Sequence, residues 1–238
     1  MIGFVYFDAA GTLLRPWPSV GTVYARACRP HGLTATPAEV DIAFRRVWRL
    51  RQQRGDRGLV HAGRDEEAAR RWWRGLVEEV LVGLNFKGDG AGCFAACYRS
   101  FADPASWQVF PEVQEVVHRL GERGLGVGIL SNWDTRLPRL LDALGLASLF
   151  DPVLVSALEG YAKPDPEIFR RAALRVGLPP SGILHVGDDP SLDLTAAQAA
   201  GFHALLLDRR SDSPAPLAIS DLRAVMARIA KIDSGVPC

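Results

Sequence analysis

Four stretches of this sequence end apolar runs, or open loops, with groups that could act together on one small substrate. The first is Phe4-Val5-Tyr6-Phe7-Asp8-Ala9-Ala10-Gly11-Thr12-Leu13. An unshielded carboxylate at the end of such a run can serve as a nucleophile or as a ligand for a hard metal ion. Gly11 lets the turn pass close to a ligand, and Thr12 adds a hydroxyl. The second, Leu130-Ser131-Asn132, ends in a hydroxyl and an amide, and the third places Lys163 ahead of Pro164-Asp165-Pro166. The fourth, Ile183 to Val186, runs into Gly187-Asp188-Asp189, with Asp193 shortly after. Each group also has an ordinary use. Asp134 and Asp189 suit the starts of helices, where carboxylates accept backbone N–H groups and meet the macrodipole. Lys163 could be a solvated surface residue, yet the chain has only two other lysines, Lys87 and Lys231. The ordered set, more than any member, points to chemistry.

The elements that must position these groups alternate. Buried strands are expected at Phe4–Phe7, Leu125–Leu130, Pro152–Val155, Ile183–Val186 and His203–Leu207, with helices between them and a last helix from Asp221 to about Ile232. Apolar runs of this kind read as strands buried on both faces of a parallel sheet. Strand–helix alternation implies right-handed crossovers, and ligands then sit beyond the carboxyl ends of the strands. From about Ser19 to Asp103 the pattern is helical throughout. Thr36-Pro37-Ala38-Glu39 opens a long helix with a capping box, Arg54 to Gly58 breaks it, and a second long helix runs from about Asp65 to Leu84. The reading is therefore an α/β, Rossmann-like parallel-sheet core (1–14 plus 105–238) with an all-helical domain (15–104) inserted after the first strand. Arg15-Pro16-Trp17-Pro18 is expected to be a rigid exit that does not continue a strand. The tail from Ser234 is expected to fray.

At 238 residues, 48% hydrophobic and 23% charged, the chain has the composition of a soluble globular protein. Lys+Arg 28 against Asp+Glu 27 offers no electrostatic case for nucleic acid or an anionic membrane. No apolar run approaches the ~20 residues that span a bilayer, and no signal peptide opens the chain. Cys28, Cys93, Cys97 and Cys238 show no metal-ligand spacing and read as reduced thiols of a cytoplasmic protein. Oligomeric state is not legible.

The four stretches, in this order, resemble motifs I to IV of the haloacid dehalogenase superfamily, and the helical insertion resembles its C1-type cap (subfamily IA). Phe7 to Leu13 and Ser131-Asn132-Trp133-Asp134 look most like the rhythmically-expressed-gene-2-like group. The resemblance implies a hydrolase acting on a small phosphorylated or otherwise anionic substrate. Asp8 would be the nucleophile, forming an aspartyl-phosphate, and Lys163 would neutralise it. The backbone at Ala9 and Ala10, with Thr12, Ser131 and Asn132, would hold the phosphate. Asp8, Asp188 and the Ala10 carbonyl would bind Mg²⁺, supported by Asp193.

One position departs from the phosphatase pattern. Where phosphatases of the superfamily carry a second Asp, as acid to the leaving group and base to water, this chain has Ala10. The consequence expected is slow turnover, not a lost metal site, because that position binds metal through its carbonyl. Three alternatives follow: a metal-independent 2-haloacid dehalogenase, a phosphonate hydrolase using Lys87 as a Schiff base, or a weakly catalytic binding protein. The arginines Arg45, Arg46, Arg49, Arg51, Arg54 and Arg57 read as a solvated helix face. Arg15 and Trp17 are better placed to touch a ligand, and a mobile cap hinged near Leu14–Pro18 and Ala102–Ser106 is expected.

Overall fold

The structure, a computed structural model, describes residues 1–54, 66–211 and 216–235. The chain begins with β1 (Phe4–Phe7), then β2 (Leu14–Pro16), then the helices α1 (Val20–Cys28), α2 (Pro37–Gln53), α3 (Glu66–Gly83) and α4 (Gly90–Ser100). After them come β3 (Trp107–Val109), α5 (Val113–Glu122), β4 (Gly126–Ser131), α6 (Leu137–Ala143), β5 (Val153–Val155) and the short α7 (Ser156–Glu159). The chain continues through α8 (Pro166–Val176), β6 (Ile183–Gly187), a π-helical turn at Pro190–Thr195 and α9 (Ala196–Ala199), and closes with β7 (His203–Leu207), β8 (Ala218–Ile219) and α10 (Val225–Asp233).

Six strands form one parallel sheet in the order β5-β4-β1-β6-β7-β8. From β1 the chain builds one half of the sheet through β4 and β5, then crosses back to build the other through β6, β7 and β8. The crevice beyond the carboxyl end of β1 is therefore the switch point where open α/β sheets bind ligands. Alternate residues of β1 face opposite ways. Val5 and Phe7 pack with Val116, Leu120 and Ile229 from α5 and α10, whereas Phe4 and Tyr6 pack with Ile168, Phe169 and Ala172 from α8. Each large side chain buried this way contributes about 1.5–3 kcal/mol, which is why all four β1 residues are apolar.

The helices α1 to α4 enclose a hydrophobic cluster of their own, with Tyr24, Val40, Leu76, Val80 and Phe94 at its centre. α2 starts as its sequence dictates: the Thr36 hydroxyl accepts from the Glu39 N–H and the Glu39 carboxylate accepts from the Thr36 N–H. Cys28, Cys93 and Cys97 are buried free thiols here, with the Cys28 and Cys97 sulfurs 3.4 Å apart. Residues 55–58, expected to break α2, and the end of the chain beyond Gly235 lie outside the described residues.

The structure corrects the reading of the exit from β1. Leu14, Arg15 and Pro16 do form a strand, paired antiparallel with Val109, Gln108 and Trp107. Pro16 is tolerated because the ribbon has only two strands and the proline closes it. The two linkers into and out of the helical block are thus joined to each other. No period-2 pattern marked either three-residue strand.

Candidate active site

Asp8 follows β1 directly, Ser131 ends β4, Asp188 follows β6, and Lys163 lies in the loop between α7 and α8. The fold brings all four to the switch point. The Asp8 N–H donates to the Val186 carbonyl at 2.9 Å, continuing the β1–β6 ladder one residue past the strand. Its side chain is buried and receives the Lys163 Nζ at 2.7 Å on Oδ1. The same ammonium donates to Asp193 Oδ1 at 2.5 Å, so one lysine bridges two carboxylates. Lys163 is held there by Asn132, whose amide donates to the Lys163 carbonyl and accepts from its N–H, both at 2.8 Å.

Carboxylate oxygens of Asp8, Asp188 and Asp193 lie within 4.8 Å of one another. Burial draws the Lys163 ammonium down, but the charges of Asp193 and Asp8 outweigh it and hold its pKa above the ordinary value. Burial pushes Asp193 up, and Lys163 and His185 overcome it, leaving that carboxyl well below its usual range. Burial dominates at Asp8 and raises it, with Lys163 opposing. Asp188 is exposed at the crevice mouth as a residue, yet its carboxylate is packed against the Gly11 backbone. Loss of hydration, then the charges of Asp8 and Asp193, push its pKa up to about 8. His185, also buried, is pulled down by loss of water and sits neutral beside Asp193.

Three carboxylates with one ammonium leave an excess of negative charge in a donor set made only of oxygen. A hard divalent cation such as Mg²⁺ fits that deficit. Both oxygens of Asp193 are already engaged: Oδ1 by Lys163 and by His185 Nε2 at 2.9 Å, Oδ2 by the Asp189 N–H at 3.0 Å. Asp193 is therefore placed to orient Lys163 and the loop behind the cation position. Asp8, Asp188 and the Ala10 carbonyl, which accepts no backbone hydrogen bond among the described residues, remain as candidate ligands.

Two glycines make these approaches possible. Gly11 has φ +85, and a Cβ there would run into the Asp188 carboxylate; a Cβ at Gly187 would run into Asp193. Among the described residues the N–H groups of Ala9 and Ala10 make no backbone hydrogen bond, and Ser131 has no side-chain partner. These donors lie at the ends of β1 and β4, beside Asp8, and are candidates for an oxyanion cradle. Thr12 Oγ1 is buried and unpartnered, away from any bond that would show it gripping the turn. Ala10 is exposed and lines a cavity of about 240 Å³ between the sheet end and the helical block.

Residues 3–201 match the family described as haloacid dehalogenase-like hydrolase. The chain belongs to the haloacid dehalogenase-like hydrolase family. It is 32% identical over 209 residues to haloacid dehalogenase-like hydrolase domain-containing protein 3 of Homo sapiens, covering 87% of this chain and 82% of that one. Rhythmically expressed gene 2 protein of Drosophila melanogaster is 27% identical over 225 residues, covering 87% and 83%. A phosphoserine phosphatase of Thermus thermophilus is 35% identical over 125 residues, covering 52% and 50%. Among solved structures, an L-2-haloacid dehalogenase superposes with a TM-score of 0.69 at 27% identity, covering 96% of this chain and 99% of the other.

Within this hydrolase some expected contacts are absent. Arg15 does not reach the cavity: its Nε and Nη2 donate to Gln108 Oε1 at 3.0 and 2.8 Å, and its guanidinium lies over Trp17 and Phe110. Trp17 does not line the cavity either; Pro16 does. Arg45, Arg46, Arg49 and Arg54 are exposed, as a solvated face requires, and Arg57 lies outside the described residues. Arg51 departs from that face, buried and donating to Glu79 Oε1 at 2.7 Å. Lys87 is exposed and no lysine is among the cavity's lining residues, so the Schiff-base alternative lacks its lysine.

Asp134 accepts from the Arg136 N–H at 3.0 Å, a helix-start contact, but its carboxylate also receives the Arg136 guanidinium and, at 2.7 Å, the Trp73 indole N–H from α3. It ties the sheet end to the helical block. Arg209 and His185 gave no sequence signal. Arg209 donates to the Thr12 carbonyl at 2.8 Å and to buried Glu112 at 2.6 Å, holding the turn after Asp8. Neither partner is near Arg209 in the chain, so only the folded sheet brings them together.

Proposed function

We propose that this hydrolase cleaves phosphate esters with Mg²⁺, through an aspartyl-phosphate on Asp8. The observation that carries the reading is the cluster of Asp8, Asp188 and Asp193, in which the ammonium of Lys163 bridges Asp8 and Asp193. The partial match to a phosphoserine phosphatase supports the same chemistry. When bound, Mg²⁺ would supply charge stabilisation for the phosphoryl oxygens. The helical block (15–104) would act as the cap over a core of 1–14 and 105–238.

In this reading an oxygen of Asp8 attacks phosphorus. The ester P–O bond breaks and its electron pair leaves with the alcohol oxygen. Lys163 Nζ, the Ala9 and Ala10 N–H groups and the Ser131 hydroxyl hold the phosphoryl oxygens through the transfer. Asn132 acts chiefly by fixing Lys163. Water then attacks phosphorus, releasing inorganic phosphate and restoring the Asp8 carboxylate. Ala10 supplies neither acid nor base, which would cost roughly 10²–10⁴-fold in rate relative to a carboxyl at that position.

A metal-independent 2-haloacid dehalogenase is the second reading. It is favoured by Ala10 and by the structural likeness to an L-2-haloacid dehalogenase, and disfavoured by the carboxylate cluster. The deciding experiment measures phosphate release and acid-stable phosphoenzyme with Mg²⁺ or with chelator, alongside halide release from 2-haloacids. Phosphate release that stops in chelator supports the proposal; halide release that persists in chelator overturns it.

A further inference from the structure

We infer that the cavity above Ala10 is a leaving-group pocket for a neutral aromatic ring, making an aryl phosphate monoester the substrate class. This rests on the phosphoryl-transfer reading and adds the part of the substrate that the reading leaves open. Ala10 and Asn132 line the cavity, which places it two residues along the turn from Asp8, within reach of a leaving group attached to a phosphoryl group there. The walls are aromatic from both sides: Tyr24, Phe44, Trp48 and Phe94 from the helical block, Trp107 from the two-stranded ribbon and Trp133 from the sheet end. Two indole donors are turned away from the space, that of Trp73 to Asp134 and that of Trp107 to the Phe101 carbonyl at 3.1 Å. They present ring carbon to the cavity instead.

Among the described lining residues only Arg136 carries a full charge, and its donors are engaged. Its Nε and Nη2 donate to Asp134 at 3.0 and 2.6 Å, its Nη1 donates to the Tyr98 carbonyl at 2.8 Å, and its plane covers the Tyr98 ring at 3.8 Å. A sugar phosphate would bury hydroxyls against carbon with few partners, and a second anionic group would meet no free cation among the described lining residues. An aryl ring instead stacks or packs edge-on against such walls.

The chemistry selects the same class independently. Among the described residues no Asp, Glu, His or Lys lines the cavity, so none of them replaces the carboxyl missing at Ala10. An alkoxide needs a proton as it departs, whereas an aryl oxide leaves with its electron pair and takes a proton from water afterwards. An apolar cavity near 150 Å³ accepts about one benzene ring, so about 240 Å³ has room for a two-ring group.

The test combines binding with kinetics. Calorimetry of 2-naphthol on the metal-free protein reads the pocket without turnover, with glycerol as the control. Steady-state rates with Mg²⁺ compare 2-naphthyl phosphate, phenyl phosphate and glycerol phosphate. The naphthyl ester should exceed the phenyl ester in kcat/KM by about tenfold, from the extra buried ring carbons. Val20→Trp, which fills the space, and Trp48→Ala, which removes a wall, should each weaken 2-naphthol binding and shrink the naphthyl-over-phenyl ratio. Circular dichroism shows that each variant is folded. Failure of 2-naphthol to bind, or unchanged affinity in both folded variants, overturns the pocket and leaves the phosphoryl-transfer reading standing. Acetyl phosphate supplies the separate check: no phosphoenzyme from it with Mg²⁺ overturns that reading even if 2-naphthol binds.

Discussion

Under the proposed phosphoryl transfer, Ala10→Asp adds a carboxyl two residues after Asp8 that can serve as acid and base. The Ala10 methyl is exposed and opens onto the cavity, so the added atoms meet space and not packed core. Acid–base help worth roughly 10²–10⁴-fold corresponds to about 3–5.5 kcal/mol of barrier. The new carboxyl would stand near the carboxylates of Asp8 and Asp188, and like charges raise each other's pKa. That crowding favours the protonated form, which donates to the leaving group, and disfavours the base that activates water. Alkyl esters, limited by departure of the alcohol, should therefore gain most, toward the upper end of ~10²–10⁴-fold. Aryl esters, limited by hydrolysis of the aspartyl-phosphate, should gain least, on the order of 10-fold. The assay is stopped-flow release of aryl alcohol together with steady-state phosphate release across esters of graded leaving-group acidity. The parent should show a burst of aryl alcohol and a steep dependence on that acidity; the variant should show a shallower dependence and a smaller burst. A folded Ala10→Asp protein with the parent's slope, and no burst in either, would refute the acid–base argument and favour a binding protein on a retained hydrolase scaffold.

Asp188→Asn should weaken Mg²⁺ binding at least tenfold by calorimetry. It should also raise the melting temperature of the metal-free protein, because it relieves the repulsion with Asp8 and Asp193. Lys163→Met removes the ammonium that two buried carboxylates share, so urea unfolding should show a loss of about 3–5 kcal/mol, with aspartyl-phosphate formation abolished. Arg209→Met frees the Thr12 carbonyl and strands buried Glu112; kcat should fall while KM changes little, and Arg209→Lys should recover part of the loss. Asp134→Asn loosens the tie between Arg136, Trp73 and the sheet end, and small-angle scattering should then show a wider spread of helical-block orientations than the parent. Unchanged scattering would rule out a hinge restrained by this contact.

Much of the fold was legible because it follows local rules. Apolar runs of strand length, separated by amphipathic helical patterns, specify a parallel sheet almost by burial alone, and the Thr36–Glu39 capping box fixes where α2 begins. The ribbon of Leu14–Pro16 with Trp107–Val109 escaped notice because its strands are three residues each and their partners are some ninety residues apart. Arg15 turns away from the cavity for the same reason: its direction depends on Gln108 and Phe110, which the sequence places far away.

The identities of the site groups were determined by the sequence alone: Asp8, Lys163, Asp188 and Asp193 are the polar residues that interrupt or follow runs otherwise committed to burial. Their division of labour was decided only by tertiary structure. Asp193 is turned inward because Lys163 and His185 reach its Oδ1 and the Asp189 N–H reaches Oδ2, which leaves Asp188 at the open mouth. Asn132 holds a lysine, Arg209 holds the turn after Asp8, and Trp73 crosses from the helical block to Asp134. None of these pairings has a sequence period, since each joins residues 31 to 197 positions apart, and hydrogen-bond direction over such separations is set by packing rather than by local propensity. The aromatic cavity follows the same logic. Its walls read from the sequence as ordinary core residues of separate elements, and only their convergence over Ala10 leaves a space between them.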